Sequence, residues 1–165
     1  MRHLTRTVLA AAAATTLLVS GAAWAQQVEV SYVKPEQFSD VPFMQVDREQ
    51  LLKDLSAHFA ELGHKLPAGQ TLKIEVLDVD LAGRLYPRRH GEDLRIMHGG
   101  ADWPHMHLRY TLEEHGQVIK SGDDEISNMA YQDRINRYSE GDGLRYEKQM
   151  MDDWFDKQFG PKRHG

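Results

Sequence analysis

"ADWPHMHLRYTLEEHGQVIKSG", residues 101–122, sets the sidedness of a sheet. After Pro104, the apolar Met106, Leu108, Tyr110 and Leu112 alternate with His105, His107, Arg109 and Thr111. Successive side chains of a strand point to opposite faces, so this pattern predicts a strand with one oily and one wet side. The apolar set must meet the core, which turns both histidines outward. At His115-Gly116 the glycine supplies a positive φ, the mark of a two-residue hairpin turn. With those residues as the turn, Glu114 faces Gln117. Counting back then sets Leu112 opposite Ile119 and His107 opposite Asp124, with Arg109 diagonal to that acid.

Upstream, "TLKIEVLDVDLAG" (71–83) begins as a strand with Leu72, Ile74 and Val76 inward, and then slips phase. Leu77, Val79 and Leu81 take over the apolar role, which would bring Asp78 and Asp80 into the inward register. Unpaired carboxylates do not stay on an apolar face. Either a bulge after Val76 restores the phase, or the strand end leaves the core and its acids reach a polar pocket. "VEVSYV" (28–33) reads as a further strand, with Val28, Val30 and Tyr32 on one side.

Two helices flank these strands. In "DREQLLKDLSAHFAELG" (47–63), Leu51, Leu52, Leu55, Phe59 and Leu62 form a stripe, with Asp47 predicted as N-cap, Gln50 completing a capping box and Gly63 as a left-handed C-cap. "LRYEKQMMDDWFDKQF" (144–159) is amphipathic through Leu144, Met151, Phe155 and Phe159, with Trp154 beside them. Residues 83–102 and 128–143 read mostly as loop, with a short strand possible at 94–97. The predicted fold is α+β, a two-layer sandwich: a mainly antiparallel sheet with both helices on one face.

The first residues have the layout of a secretory signal peptide: Arg2 and Arg6, an apolar run from Val8 to Val19, then Ala23-Trp24-Ala25. Cleavage after Ala25 would leave a single domain, 26–165, with its ordered core at about 28–159. The expected product is periplasmic, without a membrane span. It keeps 18 basic against 25 acidic side chains and no cysteine. That acidic balance argues against nucleic acid as partner. The missing cysteines exclude thiol nucleophiles, thiolate metal sites and lipoprotein attachment.

Three chemistries merit weighing. Two imidazoles spaced as His105-x-His107 on one strand face lie roughly 7 Å apart and could ligate zinc or copper with Asp124. Arg109 beside them opposes a cation, and the competing reading is a solvated His–Asp–Arg patch. Asp78 and Asp80 could act as an acid–base pair, or could bind Arg88, Arg89 or Arg95 from the following loop. A hydrolytic nucleophile has little support: there is no G-x-S-x-G elbow, H-E-x-x-H motif or phosphate-binding glycine loop.

The blocks "LPAGQTLKIEVLDVDLAG", "GGADWPHMHLRYTL" and "LRYEKQMMDDWF" resemble domain of unknown function family 3016 of proteobacterial secreted proteins, over about Val28 to Phe159. The resemblance implies one small domain in a Gram-negative envelope, with no established activity, catalytic residue or cofactor. Its marks here are Asp78, Asp80 and Gly83 of "DVDLAG" and Asp102, Trp103 and Pro104 of "ADWP"; His105 and His107 lie outside that pattern. The resulting expectation is a non-catalytic module that binds an envelope protein or small ligand. Its candidate surface is Tyr86, Arg88, Arg89, Trp103, Tyr131 and Tyr138, residue types enriched at interfaces. The alternative is a metal-binding protein using Asp78, Asp80, His105, His107 and Asp124.

Overall fold

The computed structural model describes residues 27–86, 88 and 94–161. The expected leader, 1–25, lies outside them, as does Arg89. Strand β1, Val28–Tyr32, runs parallel to β2, Gln70–Asp80. A parallel pair cannot be closed by a tight turn. The crossover is α1, Gln45–Gly63. A small antiparallel ribbon follows, β3 (Arg84–Tyr86) with β4 (Leu94–Ile96). The hairpin β5 (His105–Glu114) and β6 (Gln117–Ser127) comes next, and α2 (Arg145–Phe159) ends the fold.

The main sheet has the order β1-β2-β5-β6, antiparallel everywhere except between β1 and β2. Both helices lie over one face, so the α+β sandwich holds. Leu55 and Phe59 of α1 and Met151, Trp154 and Phe155 of α2 share a core with Leu72, Ile74, Val76 and Leu108. Met106, Leu108, Tyr110 and Leu112 are at most 6% exposed, while the His105 and His107 side chains emerge on the far face at 39% and 30%. Burying a large apolar side chain stabilises by roughly 1.5–3 kcal/mol, and four of them fix the strand's orientation. Among the described residues, no helix is long and apolar enough to cross a membrane.

The phase slip in β2 is a bulge. Val76 pairs with Leu108 and Asp78 with His107, leaving Leu77 unopposed. Val79 returns to the core, and Asp78 and Asp80 turn outward.

Several local expectations need correction. Helix α1 starts at Gln45, so Asp47 sits in its first turn and Met44 is the cap, without a side-chain bond. Arg48 donates to the Pro42 and Phe43 carbonyls (3.1 and 3.0 Å), bracing the chain at the helix entry. Gly63 is still helical; a Cβ there would collide with Val28, so it serves close packing rather than a left-handed cap. The turn at His115-Gly116 forms as expected, with both residues at positive φ, and Glu114 faces Gln117. The register then shifts by one, because Ile119 is an extra residue on β6 and Leu112 faces Lys120. Asp124 therefore lies opposite Leu108, on the helix side of the sheet, and His107 faces Glu125. The shift places Lys120 Nζ against the Gln158 carbonyl (2.6 Å) and Asp124 against Trp154 Nε1 (2.8 Å) and Gln158 Nε2 (2.9 Å). Polar groups under an amphipathic helix find partners this way that the unshifted register would not provide.

Candidate functional site

On the outer face, His107 Nε2 lies 2.6 Å from Asp123 Oδ1, and Arg109 reaches Asp123 at 3.0 Å and Glu75 at 2.9 Å. Bonds from His107 and Arg109 hold the Asp123 carboxyl below the usual carboxylate range. Solvent screens exposed pairs of this kind, so they add little to stability. The set His105, His107 and Asp124 is not assembled, because the bulge sends Asp124 through to the core side. Among the described residues, no group of three or more His, Asp or Glu is placed to hold a metal ion.

The two sequence blocks around Asp80 and Trp103 do come together. A cavity of about 390 Å³ is lined by Ser39, Asp40, Asp80, Gly83, Arg84 and Asp102, among others. Two of the three carboxylates in its lining, Asp40 and Asp102, are already hydrogen-bonded. Asp78, at its edge, accepts from Ser39 N (2.7 Å) and Ser39 Oγ (2.6 Å), capping the turn that follows Pro35–Gln37. Asp40, outside the predicted set, receives Arg95 in a two-pronged bond (2.7 and 3.1 Å). Asp78 and Asp80 therefore do not clamp Arg95. Asp102 accepts from His98 N (2.7 Å) and Tyr131 OH (2.9 Å). Burial pushes the Asp102 carboxyl up, but those bonds outweigh it and hold it below the usual range. Gly83, at φ 78, donates to the Asp102 carbonyl (2.8 Å), and a Cβ on it would meet Ile96 O at 2.6 Å. Only glycine fits that close approach.

Asp80 differs from its neighbours. It accepts no hydrogen bond from a described side chain, and the nearest ring nitrogen, His105 Nδ1, lies 3.7 Å away. Burial chiefly raises its carboxyl, with Asp40 and Asp78 adding to this and His105 and Arg95 opposing. Trp103 Nε1 donates to His105 Nε2 (2.5 Å), so that nitrogen carries the lone pair and Nδ1 carries the proton toward Asp80. Trp103 thus selects the tautomer. Pro104 is buried and its carbonyl accepts from Asn128 N (3.2 Å), closing the start of β5.

Glu147 was invisible as a site residue. It is 2% exposed, and its Oε1 accepts from Ala82 N (2.7 Å) inside "DVDLAG". A signal existed: Glu147, Met151 and Phe155 are four residues apart on one stripe of α2.

The predicted surface residues scatter. Tyr86 is exposed, with its OH 3.1 Å from His98 Nε2; Arg88 is exposed and Trp103 half-buried. Tyr131 must be withdrawn from any contact surface: it is 1% exposed, and its OH is spent on Asp102. Burial pushes that phenol up to about 12, and the Asp102 bond adds to the shift. Tyr138 belongs to a second cluster, where it donates to Asp152 Oδ2 (2.8 Å) beside the buried His58.

Residues 26–157 match the family described as Protein of unknown function (DUF3016). No curated protein and no solved structure matches the chain.

Proposed function

The chain belongs to the DUF3016 family, and from that premise we propose that it is a non-catalytic binding module of the cell envelope. It is exported by residues 1–25 and docks a protein partner at the rim of the Asp80 cavity. The observation that carries this reading is the division of labour in the cavity wall. Asp40, Asp78 and Asp102 are spent on Arg95, Ser39 and backbone, while Asp80 keeps a carboxylate without a hydrogen-bonded partner among the described residues. Beside it, the β3–β4 ribbon exposes Leu85 (41%), Tyr86 (44%) and Leu94 (42%). Apolar side chains ringing an unspent charge suit a protein segment that brings its own cation.

The test is photo-crosslinking in a periplasmic extract, with the crosslinker at Arg88. One discrete adduct is expected, weakened by Leu85→Asp and by Asp80→Asn but not by Glu125→Gln on the outer face. An adduct indifferent to both rim substitutions, in variants that keep their fold, removes the rim as the docking site.

A further inference from the structure

A second cavity, of about 260 Å³, lies between α1 and the start of α2, lined by Asp54, Ala57, His58, Glu61, Asp142 and Lys148. We propose that it binds a primary ammonium group, the head of a small alkylamine or of a lysine side chain. This is independent of the docking rim.

His58 is buried, its side chain 3% exposed. Its Nε2 lies 2.9 Å from Asp152 Oδ1. Asp152 also accepts from Tyr138 OH (2.8 Å) and Arg137 (3.4 Å). Burial pushes the Asp152 carboxyl up, but His58 and Tyr138 hold it below its usual range, so it is an acceptor only. His58 Nε2 must therefore be the donor, and in the neutral imidazole Nδ1 carries the lone pair. That Nδ1 is buried with no hydrogen-bond partner. The nearest charged atom is Glu61 Oε2 at 3.6 Å, which is also an acceptor. With the ring neutral, two acceptors face each other there and call for a donor between them.

The charge around the gap says which donor. Asp54, Glu61 and Asp142 line the cavity against one cation, Lys148, which is already bound to Asp142 at 2.7 Å. Asp142 accepts from Leu144 N as well, and Asp54 accepts from Gln50 on one oxygen only. The excess is negative, which suits a cation. No three His, Asp or Glu among the described residues converge as metal ligands. An ammonium instead offers three N–H donors on one nitrogen, directed at separate acceptors. The volume is about nine times the ~30 Å³ share of a water, room for a short alkyl stem but not a large base.

The test uses the 26–165 chain at about pH 8, where an ordinary imidazole is neutral. Calorimetric titrations use 1,4-diaminobutane, Nα-acetyl-lysine methylamide and, as a cation without N–H donors, tetramethylammonium. Saturable binding of either amine but not of tetramethylammonium is expected, and the tighter amine identifies the source of the group. The Glu61→Gln variant, altered at an exposed side chain, should bind at least about fivefold more weakly, as loss of a charge-assisted bond predicts. In ¹⁵N-histidine spectra the His58 Nδ1 resonance should move on titration. Three results would each overturn the proposal: no saturation by either amine at about 10 mM, a millimolar limit of recognition; tetramethylammonium bound equally well; or an unmoved Nδ1, which means that water alone bridges the gap.

Discussion

Replacing Glu147 by glutamine should make the protein more stable at alkaline pH and leave it nearly unchanged in mild acid. Burial raises the Glu147 carboxyl above its usual value; the Ala82 amide bond lowers it but does not cancel the effect. Its second oxygen, Oε2, is buried with no partner. A carboxyl raised in the fold contributes stability that is complete below its unfolded value, near 4.5. That contribution is lost as pH climbs through the folded value. Above it, the native state carries a buried anion with one oxygen unsatisfied, a cost of about 1–3 kcal/mol by the usual penalty for unpaired buried acceptors. Glutamine keeps an oxygen for Ala82 and never ionises. The Asp102, Asp142 and Asp152 carboxyls are held low, so their contribution is present at higher pH and fades only as pH falls through those depressed values. The two effects therefore occupy separate pH windows. Urea unfolding followed by the fluorescence of Trp103 and Trp154 at about pH 4 and pH 8, either side of the ordinary glutamate range, reads the difference directly. Glu147→Gln should gain about 1–3 kcal/mol over wild type at the higher pH and close to nothing at the lower. A variant less stable than wild type at the higher pH, or a gap identical at both, refutes the reasoning.

Gly122 lies beneath the Tyr110 ring, where an added Cβ would sit 2.6 Å from the ring edge. Gly122→Ala should cost about 1–3 kcal/mol by overpacking, and an unchanged urea midpoint would mean that the β5–β6 register is not the shifted one. Asp102→Asn cannot serve both the His98 amide and the Tyr131 hydroxyl as an acceptor. It should lose about 1–3 kcal/mol at neutral pH, with a shallower loss of stability than wild type on acidification. Trp103→Phe keeps the apolar bulk but removes the donor to His105 Nε2. Imidazole ¹⁵N shifts should then show His105 losing its single tautomer while the unfolding free energy falls by less than about 1.5 kcal/mol, the usual limit for a lost neutral bond.

The oily and wet faces of β5, the helical stripes of α1 and α2, and the bulge in β2 were all legible in the sequence. Each is a periodic pattern that a single element must satisfy on its own. Local chemistry read less well at the ends of α1. Asp47 and Gly63 match cap preferences, yet Arg48 braces the entry through the Pro42 and Phe43 carbonyls, which no cap motif describes, and Val28, distant in the chain, presses against the exit.

What the sequence by itself determined is which residues lie under the helices and which way the histidines point, because burial of alternating or helically spaced apolar groups outweighs the other local preferences. Only the tertiary structure decided who meets whom among the charges. β6 carries no apolar alternation to pin its register, so one extra residue at Ile119 moved Asp124 to Trp154 and left Asp123 for His107. Glu147 and His58 likewise became buried partners of Ala82 and Asp152 only when the elements packed. A polar side chain's place depends on a partner distant in the chain, and no local period records that partner.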